Sequence, residues 1–307
     1  MTVSAISPYE TGLPGTAAAA PPTERLLELD ASASTDAIGR RELAVRHRLA
    51  DHPLLSLEAI AELADALPAG AVERHEAKQT LLVPGGAPDL SGPPSETVRT
   101  IDTNGRWLVL WNVEQVPSYR RLLDAILDEA APHVPAREGR MGRREAFLFL
   151  SAPGAITPVH FDPEHNFLLQ IRGTKEIHVG RFPDRAWELR ELDRYHDGGH
   201  RNLEEIPACS STFVMEPGDG VYMYPWVPHW VFNGPAASMS LSITFRTQRS
   251  QRHELVHLLN RRLRHHGLSP TPPGESAALD GTKASAASFV AWLRRGGRRQ
   301  RGARDFS

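Results

Sequence analysis

The second half of the chain consists of short strand-like segments separated by glycine and proline turns, and this rhythm restricts the fold more than any other feature. Apolar residues recur at every second position in these segments, as they do in strands that bury one face. About eight short strands within about 100 residues are typical of an all-β barrel or jelly roll. The predicted strands cover 145–151, 157–162, 166–172, 175–180, 211–216, 220–225, 229–233 and 238–246.

Helical patterns lie on both sides of these strands, so we predict a mainly β protein with an N-terminal α/β flank and C-terminal helices. Ser56 is a suitable N-cap for the first helix, and Pro117 is a suitable first residue for the second. The long connection 183–208 between two predicted strands can lie over the barrel mouth. The predicted flanking elements are helices at 57–67, 117–131, 247–265 and 285–295, with a strand at 107–111.

Composition and charge exclude several classes of protein. The 307 residues are 40% hydrophobic and 23% charged, with a formal net charge of -2, so no general attraction to nucleic acid is expected. The single cysteine, Cys209, excludes an internal disulfide and fits a reducing compartment. No secretory leader and no apolar run long enough to span a membrane is evident. We therefore expect a cytoplasmic protein without a membrane or nucleic-acid partner.

Three side chains from two predicted strands can together bind a metal ion. His160 and Asp162 are two residues apart, so on an extended backbone both project from the same face. His229 follows a proline-rich bend and enters a strand that can point into the same barrel. Two imidazoles and one carboxylate on one face of Fe(II) leave three positions open for a 2-oxo acid and O2. These three residues are the predicted metal ligands and catalytic residues.

Lys175 shares the register of an apolar face that we expect to point inward. A buried ammonium group is unfavourable unless an anion binds it. In a barrel that binds Fe(II), this anion can be the distal carboxylate of 2-oxoglutarate, with Thr157 supplying a hydroxyl group. We therefore predict that Lys175 and Thr157 bind 2-oxoglutarate as a co-substrate.

The order of these residues resembles one known family. The run Thr157-Pro158-x-His160-Phe161-Asp162, followed by Asn166-Phe167, Gln170-Ile171 and Gly173-x-Lys175, is similar to the JmjC/cupin-type 2-oxoglutarate oxygenases. Within that family the pattern resembles the protein asparaginyl hydroxylase that inhibits hypoxia-inducible factor. The later segment from Pro217 to His229 also has the family's spacing. The resemblance covers residues 145–246, a third of the chain.

The resemblance implies a double-stranded β-helix core, the cupin or jelly-roll fold, that binds Fe(II) and 2-oxoglutarate. It also implies that Asn166 lines the 2-oxoglutarate pocket together with Thr244, which occupies the position of a family asparagine on the last barrel strand. The implied reaction is hydroxylation of a protein or peptide side chain or of a small molecule, and some members of the family demethylate N-methyl-lysine. The family's C-terminal helices suggest a homodimer. The predicted division is a disordered tail at 1–24, an oxygenase domain at 25–246 and C-terminal helices with a basic tail at 247–307.

Two other functions fit parts of the sequence. A cupin-like barrel can act without catalysis as a ligand-binding or regulatory protein that engages a partner through its C-terminal segment. The run from His253 to His257 matches the HExxH pattern of zinc proteases, with both histidines on one helix face. However, the helix continues without the glycine and third histidine of the longer protease motif. The oxygenase is preferred because it accounts for both the ligand set and Lys175.

Overall fold

Antiparallel strands in two sheets form the centre of the molecule, which confirms the prediction of a mainly β fold with a double-stranded β-helix core. The computed structural model describes residues 25–76 and 92–288 of the 307-residue chain. Within these residues every strand pairing is antiparallel. Helices from the N-terminal flank pack on one face of the larger sheet.

The predicted strands and helices occur in the predicted order within the described residues, with further short elements in the N-terminal flank. The strands are β1 (Leu27–Glu28), β2 (Leu43–His47), β3 (Val72–Glu76), β4 (Arg106–Leu110), β5 (Met141–Ser151), β6 (Ile156–His160), β7 (His165–Arg172), β8 (Lys175–Gly180), β9 (Cys209–Met215), β10 (Asp219–Met223), β11 (His229–Asn233) and β12 (Ser238–Thr247). The helices are α1 (Ala31–Ala37), α2 (Leu57–Ala66), α3 (Pro94–Arg99), α4 (Pro117–Ala130), α5 (Arg185–His196), α6 (Gln248–His265) and α7 (277–288). Single turns of 3-10 helix lie at Pro53–Leu55, Ala69–Ala71, Val113–Gln115 and Ala131–His133.

The strand order places the barrel between a larger and a smaller sheet. The larger sheet has the order β1-β2-β10-β7-β12-β5-β4-β3, and the smaller has the order β6-β11-β8-β9. Alternate residues of the larger sheet pack in two different layers, because successive side chains of a strand point to opposite faces. On β12, Leu241 and Ile243 pack in the core shared with the helices, whereas Ser242 and Thr244 line the barrel interior.

The helix α4 shows how the N-terminal flank packs on the larger sheet. Its apolar residues recur at intervals of three and four, so they form one stripe along the helix. Each of them is buried in the layer that also contains Leu148 and Leu150 of β5. The members of this stripe are Tyr119, Leu122, Leu123, Ile126 and Leu127.

Two details differ from the sequence prediction. The strand expected at 157–162 ends at His160, so Asp162 lies in the turn beyond β6 and not on the strand itself. The helices α1 and α3 and the strands β1, β2 and β3 were not predicted, although β2 pairs directly with β10 and thereby extends the larger sheet. These strands are short and partly polar, and only their pairing with distant segments gives them strand structure.

Several predictions fall outside the described residues. These are the disordered tail at 1–24, residues 289–295 of the last predicted helix and the basic tail that follows it. The division of the chain into domains stays a prediction. In the described parts of the chain, no helix combines the length and the apolar character needed to cross a lipid bilayer.

The turn between β7 and β8 depends on Gly173, which has φ of 69°. A Cβ atom at this position would overlap the carbonyl oxygen of Ala237. We expect Gly173→Ala to destabilise the fold by more than the roughly 1–2 kcal/mol of the left-handed conformation alone. Gly105→Ala is the matched control, because Gly105 has φ of 62° and a Cβ atom added there would have no neighbour within 4 Å. Chemical denaturation measures both, and equal losses would contradict the predicted overlap.

Candidate metal centre and co-substrate pocket

The pairing of the smaller sheet brings His160 and His229 together. The strand β11 lies between β6 and β8, and His229 is directly opposite His160 on β6. Their ring centroids are 4.2 Å apart. A shift of register by one residue would turn one imidazole to the other face of the sheet. The sheet register therefore creates this pair of candidate ligands.

Asp162 joins this pair from the turn after β6. Its carboxylate Oδ2 lies 3.6 Å from Nε2 of His229. Its backbone carbonyl accepts a 2.7 Å hydrogen bond from the backbone N–H of Trp226, in the bend that precedes β11. Trp226 has φ of 69°, a conformation that is unfavourable for a residue other than glycine. The backbone thus connects the carboxylate to the bend that positions His229.

Both imidazoles are oriented to bind a metal through Nε2. Nδ1 of His160 lies 2.9 Å from the carbonyl oxygen of Pro158, and Nδ1 of His229 lies 3.0 Å from that of Val227. Each carbonyl can only accept, so Nδ1 carries the proton and the lone pair is on Nε2. Burial lowers the pKa of His160 to about 3 and also lowers the pKa of His229. Both rings are therefore neutral at pH 7, as metal ligation requires.

Asp162 is ionised and ion-paired. Burial acts to raise the pKa of its carboxyl group. The positive charge of Arg201 lowers this pKa, and the result is a pKa of about 2. The Arg201 guanidinium donates a hydrogen bond to Oδ1 of Asp162. Oδ2 faces His229, so the two carboxylate oxygens have different neighbours. One oxygen is held by the protein, and the other is available to a metal.

The donor set fits a divalent transition metal. One potential ligand atom from each of His160, Asp162 and His229 lies within 4.8 Å of the others. Two neutral imidazoles and one carboxylate on one side of an ion form the facial arrangement of non-haem iron sites. Within residues 25–76 and 92–288, this is the one group of three or more such residues that can hold a metal ion.

A cavity of about 420 Å³ contains this group and Lys175. Lys175 is 6% exposed, and burial lowers the pKa of its ammonium group to about 7. None of the described residues forms a hydrogen bond or ion pair with this ammonium. This is the buried cation without an anion that the strand register predicted.

The other three predicted co-substrate residues also line the cavity. Asn166 on β7 lies opposite Thr244 on β12, and the hydroxyl of Ser242 donates a 2.9 Å hydrogen bond to Oδ1 of Asn166. Because its oxygen is bound in this way, the Asn166 amide can offer its N–H groups to a ligand. Oγ1 of Thr244 is buried without a hydrogen-bond partner in the described structure. Thr157 is half-buried on β6.

Arg201 is a site residue that sequence reasoning missed. It lies in the connection between α5 and β9, where Leu203 donates a backbone hydrogen bond to Val159 and Asn202 forms a bridge with His160. These bonds attach the connection to β6 and place Arg201 beside Asp162. No motif marks this arginine, because the contact depends on the path of a long connection. The prediction that residues 183–208 lie near the barrel opening agrees with the cavity lining by Tyr195, His200 and Arg201.

The HExxH sequence lies on α6, and its residues do not form a group of three potential metal ligands in the described structure. Glu254, which would act as the base in a zinc protease, is ion-paired with Arg246. His257 is buried, and its ring stacks on that of His196 with centroids 5.5 Å apart. Neither His253 nor His257 belongs to a group of three potential ligands in the described structure. The helix instead packs against α5.

Three comparisons relate this geometry to known proteins. Residues 141–255 match the family model for the JmjC domain. Jumonji C domain-containing protein 5 from Drosophila melanogaster is 28% identical over 118 residues, which are 35% of this chain and 29% of that protein. The chain therefore matches less than a third of that relative's length.

Among solved structures, the ribosomal oxygenase YcfD from Escherichia coli in complex with cobalt and 2-oxoglutarate is similar, with a TM-score of 0.51 and 16% identity. The match covers 87% of this chain and 68% of that chain. A second structure of E. coli YcfD has a TM-score of 0.50 and 15% identity, and the match covers 86% of this chain and 68% of that one. At this level of identity the likeness concerns the fold.

Proposed function

Residues 141–255 form a JmjC domain on a cupin-type fold, and from this premise we propose that the protein is an Fe(II)- and 2-oxoglutarate-dependent oxygenase. The observation that carries the proposal is the convergence of His160, Asp162 and His229 in the wall of one cavity. In this role they hold the metal. Fe(II) bound there would supply the coordination of a 2-oxo acid and the activation of O2.

Lys175 supports 2-oxoglutarate as the co-substrate. Lys175 is paired in register with Asn233 on β11. Asn233 is four residues from His229 along this strand, which corresponds to about 13 Å. An extended lysine side chain and a five-carbon dicarboxylate can together span such a distance. The Lys175 ammonium would bind the distal carboxylate, because no protein anion in the described structure binds it.

The neighbouring polar groups have complementary roles in this proposal. Asn166 would donate hydrogen bonds from its amide, and Thr244 and Thr157 would each contribute a hydroxyl group. Arg201 would keep Asp162 ionised and fix the direction of its free oxygen. The apolar walls, including Leu168 and Val231, would exclude water from the reacting groups.

The substrate is proposed to be a side chain of a protein or peptide, and the reaction its hydroxylation. The match to a structure described as a ribosomal oxygenase supports a protein substrate. A small molecule as substrate, or demethylation of an N-methyl group, would use the same cavity. The proposal also includes the predicted cytoplasmic location and the homodimer through the C-terminal helices.

Succinate formation from 2-oxoglutarate tests this proposal directly. Protein reconstituted anaerobically with Fe(II) should release succinate when O2 is admitted, at a slow rate without substrate and faster with a suitable peptide. Protein loaded with Zn(II) is the control, since Zn(II) has no accessible redox chemistry. Binding of 2-oxoglutarate without succinate release under any condition would favour a non-catalytic cupin-like protein. Proteolysis that is lost in Glu254→Gln would favour the zinc protease.

A further inference from the structure

A second cavity, of about 310 Å³, is formed partly by the bend that precedes β11. Trp226, Val227 and Pro228 of this bend line the second cavity, whereas His229, which follows them, lines the cavity of the metal centre. None of the described residues lines both cavities. The second cavity is therefore a separate binding space, and the proposed oxygenase reaction does not use it.

Three polar side chains of α6 form a stripe along this second cavity. Arg249, His253 and His257 all line it, and their spacing of four residues places them on one side of the helix. The two histidines are those of the HExxH sequence. Both imidazoles of that sequence therefore belong to one binding surface, although they do not form a group of three potential metal ligands in the described structure.

The side chains of this stripe retain unused hydrogen-bonding capacity. His257 is 2% exposed, and its Nδ1 is buried without a hydrogen-bond partner in the described structure. No described residue forms a hydrogen bond or an ion pair with the imidazole of His253. The one ion-pair partner of Arg249 among the described residues is Glu138, at 3.6 Å, which is too far for a hydrogen bond. A buried polar atom without a partner is unfavourable, so a ligand that bonds to these groups would remove this cost.

The charge around the stripe is positive. The helix α6 contains five arginines and one glutamate, and this glutamate is paired with Arg246. Arg185 of α5 also lines the second cavity. Its ion pair with Glu188 joins side chains that are 44% and 26% exposed, so solvent screens this pair. A third arginine of the lining, Arg181, forms a bidentate ion pair with Glu42 and is already neutralised.

Positive charge also dominates at the two imidazoles. Burial is the main cause that lowers the pKa of His253, and Arg249 lowers it further, against a smaller opposite effect of Asp280. Burial also lowers the pKa of His257 well below its usual value, and Arg185 is among the charges that lower it further. Both rings are therefore neutral at pH 7. The positive charges that keep protons off these rings would attract an anion.

Aromatic rings form another part of the lining. Phe182, Tyr224 and Trp226 line the second cavity. The Trp226 ring is fixed by contacts with Phe161 and Tyr195, both at 5.8 Å between centroids. The cavity volume lies at the lower end of the range for small-molecule sites, roughly 300–1,000 Å³. It has room for an anionic group together with an apolar or aromatic body.

We propose that Arg185, Arg249, His253 and His257 bind the phosphate group of a small phosphate monoester, whose organic part lies against the aromatic residues of the second cavity. A phosphate monoester has three terminal oxygens and a charge of about -1.5 to -2 at pH 7, so it can accept hydrogen bonds from several donors at once. A carboxylate has two oxygens and a single charge. This site goes beyond the proposed oxygenase function and does not require a metal ion.

Calorimetric titration with three aromatic probes tests this proposal. Phenyl phosphate carries the expected group, phenylacetate carries a carboxylate, and benzyl alcohol has no charge. We expect phenyl phosphate to bind at least ~10-fold more tightly than benzyl alcohol and several-fold more tightly than phenylacetate. The titration is repeated with protein loaded with Mn(II) and saturating 2-oxoglutarate, which fill the cavity of the metal centre. The affinity for phenyl phosphate should be the same in both samples.

The variants Arg249→Gln and His253→Gln locate the bound probe. Each should weaken phenyl phosphate binding by several-fold to about tenfold, because each removes one donor from the stripe. Arg262→Gln is the matched control, since Arg262 lies on the same helix and does not line the second cavity. His253→Gln is informative alone if Arg249→Gln, which also removes the ion-pair partner of Glu138, does not fold.

Several results would overturn the proposal. One is no detectable binding of phenyl phosphate at millimolar concentration, or binding no tighter than that of benzyl alcohol. Another is an affinity for phenylacetate equal to that for phenyl phosphate, which would exclude the phosphate class. Unchanged affinity in both Arg249→Gln and His253→Gln would exclude this location. Loss of phenyl phosphate binding in the presence of Mn(II) and 2-oxoglutarate would place the probe in the cavity of the metal centre instead.

Discussion

His160→Ala and Asp162→Ala are each expected to abolish succinate formation and to weaken Fe(II) binding by more than about 100-fold. Loss of a hydrogen-bond partner to a metal ligand alone reduces affinity by roughly 10- to 100-fold, and loss of the ligand itself should exceed this. Each residue supplies one of the three potential ligand atoms that lie within 4.8 Å of one another. Calorimetric titration of the metal under anaerobic conditions and succinate release measure the two effects.

His133→Ala is the control for this prediction, because His133 lies in a 3-10 turn and does not line the cavity. Its metal affinity and succinate release should equal those of the wild type. Circular dichroism compares the fold of each alanine variant with that of the wild type. Full turnover by either ligand variant would exclude the proposed metal centre.

Lys175→Met is expected to have opposite effects on co-substrate binding and on stability. Removal of the ammonium should weaken 2-oxoglutarate binding by roughly 10- to 100-fold, the range for a buried hydrogen bond to a charged group. The same substitution should stabilise the empty protein at pH 6 by an amount on the order of a few kcal/mol, because it replaces an unpaired buried charge with an apolar side chain of similar volume. A residue that serves only the fold would not combine these two effects.

The pH dependence follows from the pKa of Lys175, which burial lowers to about 7. The folded state binds fewer protons than the unfolded state between about pH 7 and 10, so stability should rise with pH across this interval. The affinity for 2-oxoglutarate should instead fall about tenfold from pH 6 to pH 8, as the ammonium loses its proton. In the Lys175→Met variant, neither the stability nor the affinity for 2-oxoglutarate should show this dependence on pH.

Lys283→Met is the matched control, because the Lys283 ammonium donates to the carbonyl of Thr271 and lies outside the cavity. Its 2-oxoglutarate affinity and its pH profile should be those of the wild type. Thermal melts at several pH values and calorimetric titration of Mn(II)-loaded protein give the measurements. Unchanged 2-oxoglutarate affinity in Lys175→Met would exclude the proposed carboxylate contact.

Some features could be read from the sequence because they depend on local periodicity. The alternation on β7 and β8 placed Lys175 on an inward face, and the structure has it there. The distance of two residues between His160 and Asp162 predicted a shared direction, although the strand ends at His160 and a turn carries Asp162. The proline-rich bend before His229 marked the start of β11.

Other features depend on contacts between distant segments. Arg201 reaches Asp162 because the connection after α5 attaches to β6. Glu73 enters the cavity because β3 pairs with β4, which itself pairs with β5. Neither residue lies in a motif, and no periodicity within its own segment indicates a direction toward the barrel. Both could be found only from the path of the chain in space.

The sequence by itself determined the barrel and the identity of the candidate ligands, because strand alternation and residue spacing are properties of the local backbone. The tertiary structure decided which groups meet. It placed His229 opposite His160 through the register of β11, paired Asp162 with an arginine from a connecting segment, and left Lys175 without a protein anion in the described residues. These contacts join residues far apart in the chain, so their energies depend on packing that no local pattern encodes.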